Sequence, residues 1–579
     1  MDQSTALRIA QRFATLAADK QKIYWQKMLQ ENVSPANLPI PSVQAHFARL
    51  PLSYAQERQW FLWQLDPNSA AYNVPLALRL TGPLNLSALE QSFNGLVARH
   101  ETLRTAFEQS DEGLHQRIEP AIQWVLEVQS VAPGQDLDAA TADFVQQQSR
   151  QPFDLSQAPL LRVKLLRLAS EEHVLALTLH HIVSDGWSAP ILIDELIRRY
   201  QACCQGLAPS FDALPVQYAD YAIWQRQWME AGERERQLQY WLAQLGGEQP
   251  RLQLPTDHPR LNVRSQSGGR WQWSLPTPLA GALARVAQDQ GVTLFMLLLA
   301  SFQTLLHRYS GQADIRVGIA SANRNRVETE GLIGFFVNTQ VLRADFGQAE
   351  DFSALLAQVK QRALDALAYQ ELPFEQLVEA LQPERTLGQN PLFEVMFNFQ
   401  SESAGQGVAR QVAGLLVESL DSGRQAAQFD LTLDITERDG QLFAAFDYAA
   451  DLFEAATLER MARHWENLLQ GIVADPSQRI SQLPLQGREE QAAIVQDWNR
   501  HQTRFSHEQV LHQLIEAQAA RAPDAVALSL GSAQLTYTQL NTRANRLAHR
   551  LIAQGVGPEV RVGLAAERSL EMLVGLLAI

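Results

Sequence analysis

Eight residues, HVLALTLH (173–180), form an apolar run of strand length that ends on two adjacent histidines, His180 and His181. Ile182-Val183-Ser184-Asp185-Gly186 follow, and then a helix-like apolar segment over 191–200. A strand that stops in a polar cluster and turns through glycine into a helix points to layered α/β structure. Other segments repeat the mixture. Ser87 and Glu90 form a capping-box pattern ahead of Phe93, Leu96 and Val97, which predicts a helix there. Residues 279–288 and 294–306 read as helices, and DIRVGIA (314–320) as a buried strand. Two successive stretches of this kind between about 45 and 485 predict two α/β lobes. No fixed-period repeat occurs, which excludes solenoids and propellers.

A chain of 579 residues exceeds what one core can serve. Its 48 basic and 63 acidic side chains give 48 − 63 = −15, a balance opposed to a general nucleic-acid binder. The two cysteines, Cys203 and Cys204, are neighbours and supply no disulfide framework. The start, MDQSTALRIAQRFATL, has no secretory pattern. The longest apolar stretches, such as 294–302, are too short for a membrane span. A cytoplasmic protein with no nucleic-acid or membrane partner is expected. The Pro-rich LPIPS (38–42) marks a boundary after a helix-compatible opening, so 1–44 is read as a separate N-terminal helical segment. The main region spans 45–485, with lobes over about 45–225 and 226–485. From about Gly487 the chain turns polar, and 486–505 is read as a linker. Beyond it, Leu540, Ala544, Leu547, Ala548 and Leu551 recur at helical spacing. The chain stops inside an apolar helix pattern, so 506–579 reads as the start of a further domain.

Successive strand residues point to opposite faces, so His180 and His181 cannot converge on one site. One packs or braces, and the other faces a cavity. This argues against a shared metal, whose ligands must converge. An imidazole titrates near working pH and suits proton transfer in acyl chemistry. Asp185 suits a bond to a cation that keeps the loop in shape. By themselves these residues leave a second reading open, in which both histidines are core side chains with satisfied hydrogen bonds.

Seven stretches, in order, resemble the motif series of nonribosomal peptide synthetase condensation domains. They are LSYAQERQWFL (52–62), RHETLRTAF (99–107), HHIVSDGWS (180–188), YADYAIWQ (218–225), IGFFVNTQVLR (333–343), YQELPFEQL (369–377) and RTLGQNPLF (385–393). The sequence departs from the usual pattern at Gln59, Glu371 and Thr386, which are supporting positions. LTYTQL (535–540) resembles the first core motif of adenylation domains, with Gln539 in place of glutamate. The later adenylation motifs are absent, so no amino-acid activation is expected from this chain.

The resemblance implies two chloramphenicol-acetyltransferase-like lobes in a V-shaped pseudo-dimer, followed by a fragment of an adenylate-forming α/β domain. It implies amide formation between an acyl or peptidyl thioester on an upstream peptidyl carrier protein and an aminoacyl thioester on a downstream one. Both would arrive on 4'-phosphopantetheine arms, with no cofactor or metal on the chain itself and with docking to a preceding synthetase subunit. It makes His181 the cavity-facing residue and His180 the structural one. Asp185 then braces the loop through a salt bridge, with Arg343 the first candidate partner and Arg104 the second. The Gly186 amide would orient the acceptor arm or the tetrahedral oxyanion. Trp60, Phe61 and Leu62 are expected in the core. Phe335, Phe336 and Val337 are expected at the lobe interface, with Asn338 as its polar anchor. ANRNR (322–326) reads as a solvated loop, or less readily as a contact for a carrier's phosphate. Alternatives within the same resemblance are an epimerising relative, a non-catalytic carrier-docking platform and a free-standing acyltransferase that uses coenzyme A. Heterocyclising relatives are disfavoured by the histidine pair.

Overall fold

The strand that ends on His180 runs through the middle of a six-stranded sheet. In the computed structural model, residues 2–31, 38–120, 123–132, 134–260, 267–382, 390–402, 409–420, 427–500 and 508–579 are described. They divide into two units, Met1–Gly487 and Arg488–Ile579. Residues 385–389 of the seventh stretch, Thr386 among them, and residues 501–505 of the expected linker lie outside the described residues.

The first sheet has the order Arg410–Val412, Leu415–Leu420, Asn73–Thr81, Glu172–His180, Leu161–Ala169, Glu127–Ser130. Along the central strand Leu175, Leu177 and Leu179 pack under helices Leu86–Arg99 and Ser188–Cys204. Val174 and Ala176 point the other way, to Phe144 and Val145 of helix Leu137–Arg150. Both faces are covered, which is why apolar residues fall on both sides of the run instead of alternating with polar ones. The first helix differs from its expected start. Asn85, not Ser87, is the cap and accepts the Ala88 N–H at 3.1 Å. Glu90 instead accepts the Leu126 N–H at 3.0 Å, so its carboxylate serves a neighbouring segment.

The second sheet has the order Asn338–Asp345, Asp314–Ser321, Val395–Glu402, Leu431–Arg438, Gln441–Ala449, Gly268–Ser274. Its core takes in helices Thr277–Asp289, Leu294–Ser310, Phe352–Ala368 and Ala455–Ala474. Leu294–Ser310 is apolar all round because it is enclosed all round. Its buried polar side chains are used: Ser301 Oγ accepts the Trp465 indole N–H at 3.0 Å, and Gln303 Nε2 donates to Leu342 O at 3.0 Å. Among the described residues no single helix is long and apolar enough to cross a membrane.

One connection departs from a simple split at residue 226. The hairpin Arg410–Val412 and Leu415–Leu420 belongs to the later half by sequence but pairs with Asn73–Thr81 in the first sheet, Leu416 opposite Thr81 and Leu420 opposite Ala77. The later half therefore closes the edge of the earlier sheet. At the N-terminus, helices Gln3–Ala14 and Ala18–Gln30 bury Ala6, Ala10, Phe13 and Met28 with Leu38 and Ala231. The fully buried carboxylate of Asp220 accepts the N–H groups of Val43 (2.6 Å) and Gln44 (2.7 Å), which pins the chain just after the Pro-rich boundary. In the second unit, helix Leu511–Arg521, the paired strands Val526–Leu530 and Ala533–Thr536, and helices Tyr537–Ala553 and Leu570–Ala578 follow. Thr536 and Gln539 form a reciprocal cap at the start of helix Tyr537–Ala553.

Candidate active site

His180 is the last residue of the central strand, and His181 begins a short turn, His181–Val183. The backbone N–H of His181 donates to Tyr72 O at 2.8 Å, so the turn is still tied to the neighbouring strand. His180 is 4% exposed, its Nδ1 accepts the Ile182 N–H at 3.1 Å, and its ring lies 6.2 Å from that of Phe153. Burial, reinforced by the neighbouring His181, pushes its pKa down to about 3, so it is neutral at physiological pH. An uncharged ring whose Nδ1 is already an acceptor fits a structural part.

His181 is half-buried and differently held. Its Nδ1 lies 2.8 Å from Ser184 O, and a carbonyl can only accept, so Nδ1 carries the hydrogen. In the neutral ring Nε2 then carries the lone pair, the tautomer a proton acceptor needs. The ring meets Phe335 edge-on, with centroids 4.7 Å apart at 61°. Phe335 also lines a small, partly open pocket whose wall includes Tyr54, Arg58, Asn323, Asn338 and Glu375. His181 is not part of that wall.

Asp185 is fully buried. Its carboxylate accepts from Ser188 N (2.9 Å), Ser188 Oγ (2.7 Å), Phe336 N (3.1 Å) and Arg324 Nη2 (3.1 and 3.3 Å). The cation is thus Arg324, and this corrects both arginines chosen from the sequence. Arg343 pairs with Asp314 at 3.0 Å, on strands paired at the edge of the second sheet. Arg104 is held by Glu101 and by Glu119 O. Arg324 lies in the ANRNR turn, which is not a solvated loop at this residue: its side chain is 2% exposed. It also donates to Thr329 O (2.6 Å) and Leu332 O (2.8 Å), and its guanidinium sits 4.0 Å from the Phe336 ring centroid. Arg326 is committed as well, to Leu38 O at 3.1 Å and to the ring of Trp224, so neither arginine is presented to a carrier's phosphate. A buried ion pair is tolerable only when its remaining hydrogen-bonding capacity is met, and here most of it is.

Ser188 completes the joint. Its Oγ accepts the Gly334 N–H at 3.1 Å, so the start of helix Ser188–Cys204 and the 334–336 segment hold the same carboxylate from two sides. Neither Ser188 nor Arg324 was identified from the sequence. The signal for Ser188 was its place three residues after Asp185, where a helix-start hydroxyl and N–H meet a preceding acid. Nothing in the order of residues marks Arg324 out from Arg326.

Asn338 donates to Gln370 O (2.8 Å) and Leu372 O (2.6 Å) and accepts from Phe374 N (3.2 Å). It fastens the sixth stretch to the fifth. Phe335 and Phe336 are buried, Phe336 against Tyr218 and Tyr221. Trp60 is buried too, but Phe61 is 59% exposed, against the expectation of a core residue, because the helix Tyr54–Leu65 turns that position outward. Gly186 is exposed, and a Cβ placed on it would meet nothing within 4 Å. Among the described residues no group of three His, Cys, Asp or Glu side chains is arranged to hold a metal.

The family model described as Condensation domain matches residues 46–495, and that of AMP-binding enzymes matches residues 515–579. Two components of the linear gramicidin synthase of Brevibacillus parabrevis are similar over nearly the whole chain. One is 43% identical over 533 residues, covering 92% of this chain and 10% of that protein. The other is 42% identical over 556 residues, covering 95% and 7%. The chain therefore spans a tenth or less of the length of these curated relatives. Among solved structures, the complex of the X-domain and OxyB from teicoplanin biosynthesis is similar with TM-score 0.70 and 29% identity, over 77% of this chain and 98% of that one. Holo-AB3403, a four-domain nonribosomal peptide synthetase bound to AMP and glycine, gives TM-score 0.74 over 88% of this chain and 39% of that one. At 23% identity the second likeness concerns the fold.

Proposed function

Because the chain belongs to the condensation-domain family of nonribosomal peptide synthetases over most of its length, we propose that it joins a carrier-bound acyl or peptidyl thioester to the amine of a carrier-bound aminoacyl thioester. The observation that carries this reading is the setting of His181: Nδ1 of a half-buried ring is spent on Ser184 O, which in the neutral form leaves the lone pair on Nε2. The amine attacks the thioester carbon, the C–N bond forms and the C–S bond breaks. Nε2 of His181 takes a proton from the attacking nitrogen, and the departing thiolate is protonated in turn. A free α-amino group titrates at about 7.7–8.0, so about a tenth or more is neutral at neutral pH. The imidazole therefore has only part of the barrier to lower, and tethering both reactants supplies much of the rest.

Asp185 and Arg324 act at a distance from the reacting atoms. They join the turn that carries His181 to the 334–336 segment of the later half. The clear space at Gly186 supports a role in admitting a phosphopantetheine arm, since no described residue nearby requires glycine there. The donor and acceptor carriers are the proposed partners, and the N-terminal helical pair is the proposed contact for a preceding synthetase subunit. A second reading, a platform that recruits another enzyme, draws on the likeness to an X-domain solved with OxyB. One experiment separates the two. Mixing the protein with a loaded donor carrier and a loaded acceptor carrier is expected to raise the intact mass of the acceptor by the donor acyl group. The His181→Ala protein should leave that mass unchanged on the same timescale. Carrier binding without any mass gain in the wild type would favour the platform.

A further inference from the structure

We propose that Tyr218 is a positioning residue for this site: its hydroxyl fixes the carbonyl of Phe335, and the Phe335 ring holds the His181 imidazole in its working orientation. The inference rests on the amide-forming reading above and adds to it a residue that sets geometry without touching substrate.

Tyr218 opens the helix Tyr218–Trp228 and is 1% exposed. Its O–H donates to Phe335 O. With that hydrogen used, the phenolic oxygen accepts from Ser53 Oγ at 2.8 Å, and Ser53 Oγ itself accepts the Gln56 N–H at 3.1 Å. Each hydrogen then has one place, and a directed chain runs from the start of the helix Tyr54–Leu65, through Tyr218, into the 333–337 segment. Burial pushes the phenol pKa upward, so the donor keeps its proton across the working range.

The ring is built in as firmly as the hydroxyl. A Cβ on Gly334 would come within 2.1 Å of a Tyr218 ring carbon, so the space beside residue 334 is taken by the phenol. The same ring packs against Phe336 with centroids 4.9 Å apart. Residues 334 to 336 are therefore held at three successive points: Gly334 by Ser188, Phe335 O by Tyr218, and Phe336 N by Asp185. The bond from His181 Nδ1 to Ser184 O fixes one atom of the imidazole. The Phe335 edge, 4.7 Å away, is the second constraint, and an acid–base group held by two constraints is set more closely than one held by a single bond.

The test uses Tyr218→Phe, which keeps the buried ring and removes only the donor. With both loaded carriers, its kcat is expected to fall by between about tenfold and a hundredfold, the scale of a misplaced reacting group. The apparent KM for the acceptor carrier should stay within about twofold of wild type. Phe335→Leu should give a similar loss, and the double variant should be no slower than the worse single one, because both changes break one linkage. Independent losses that multiply, or a Tyr218→Phe protein with wild-type kcat, would overturn the proposal. A second readout does not need turnover: in protein with labelled histidine, the ring signals of His181 should move in Tyr218→Phe and in Phe335→Leu alike. If the wild type forms no amide yet these signals move, the amide-forming reading fails and the linkage stands. Unmoved signals sink the linkage whatever the wild type does.

Discussion

The two six-stranded sheets of the first unit each carry four strands in the same order and sense. In one, Asn73–Thr81, Glu172–His180 and Leu161–Ala169 run antiparallel in turn, and Glu127–Ser130 is added parallel. In the other, Gly268–Ser274, Gln441–Ala449 and Leu431–Arg438 do the same, with Val395–Glu402 added parallel. The registers agree to the residue. Asn73 faces His180 and Gly268 faces Ala449. His181 N–H donates to Tyr72 O at 2.8 Å, and Ala450 N–H donates to Ser267 O at 3.1 Å. Ala450 thus stands where His181 stands. After it the chain reaches its helix, Ala455–Ala474, by a connection two residues shorter than the one from His181 to Ser188–Cys204. The longer connection is the one that holds Ser184, Asp185 and Gly186. The backbone frame of the site is present twice, and the histidine with its longer turn once. What separates them is a turn long enough to reach across to Arg324 and Phe336 of the other half.

Transplanting the imidazole tests this most directly. Ala450 is exposed, so histidine fits there, yet Ala450→His should not restore amide formation to His181→Ala. The deficit of about 10²–10⁴-fold typical of a lost acid–base group should remain in the mass assay. Recovery would mean that the short turn also supports chemistry. Next in size is Asp185→Ala, which strands the Arg324 cation in the interior. A loss of about 3–5 kcal/mol is expected from denaturant midpoints, partly recovered when Arg324→Met is added. Full stability together with lost activity would instead give the carboxylate a direct chemical part.

The buried His180, whose counterpart is Ala449, should show itself in acid. Its folded pKa of about 3 lies below the usual 6.5, so between these values the unfolded chain binds a proton that the folded chain refuses. Stability is therefore complete above pH 6.5 and is lost as the pH falls toward 3. Between pH 7 and pH 5 the loss should be about 2 kcal/mol, and His180→Asn should flatten that slope. Equal slopes in both proteins would contradict a neutral buried ring. The smallest effect belongs to Arg343→Ala. Its ion pair with Asp314 is partly exposed, so a change of about 1 kcal/mol or less is expected, with activity unchanged. A loss as large as that of Asp185→Ala would show that Arg343 matters to the site after all.

Local order made much of this legible. The apolar run to His180, the glycine turn and the helix after it are contiguous in the chain, and their pattern encodes a strand buried on both faces. Strand geometry also sets the two histidines apart, since neighbouring residues point to opposite faces, but which of the two packs inside comes from the family resemblance and not from the geometry. What the chain order does not encode is which distant group meets Asp185. Arg324, Arg326, Arg343 and Arg104 are alike as residues. Only packing decided among them, by placing the 324 side chain under Phe336 and giving Arg343 to Asp314. The same holds for the hairpin at 410–420, whose strands are ordinary in sequence but find their partner in the other sheet. Periodicity is a property of neighbours along the chain. An ion pair across 139 positions, or a strand pairing across more than 300, depends on where the whole fold brings its ends.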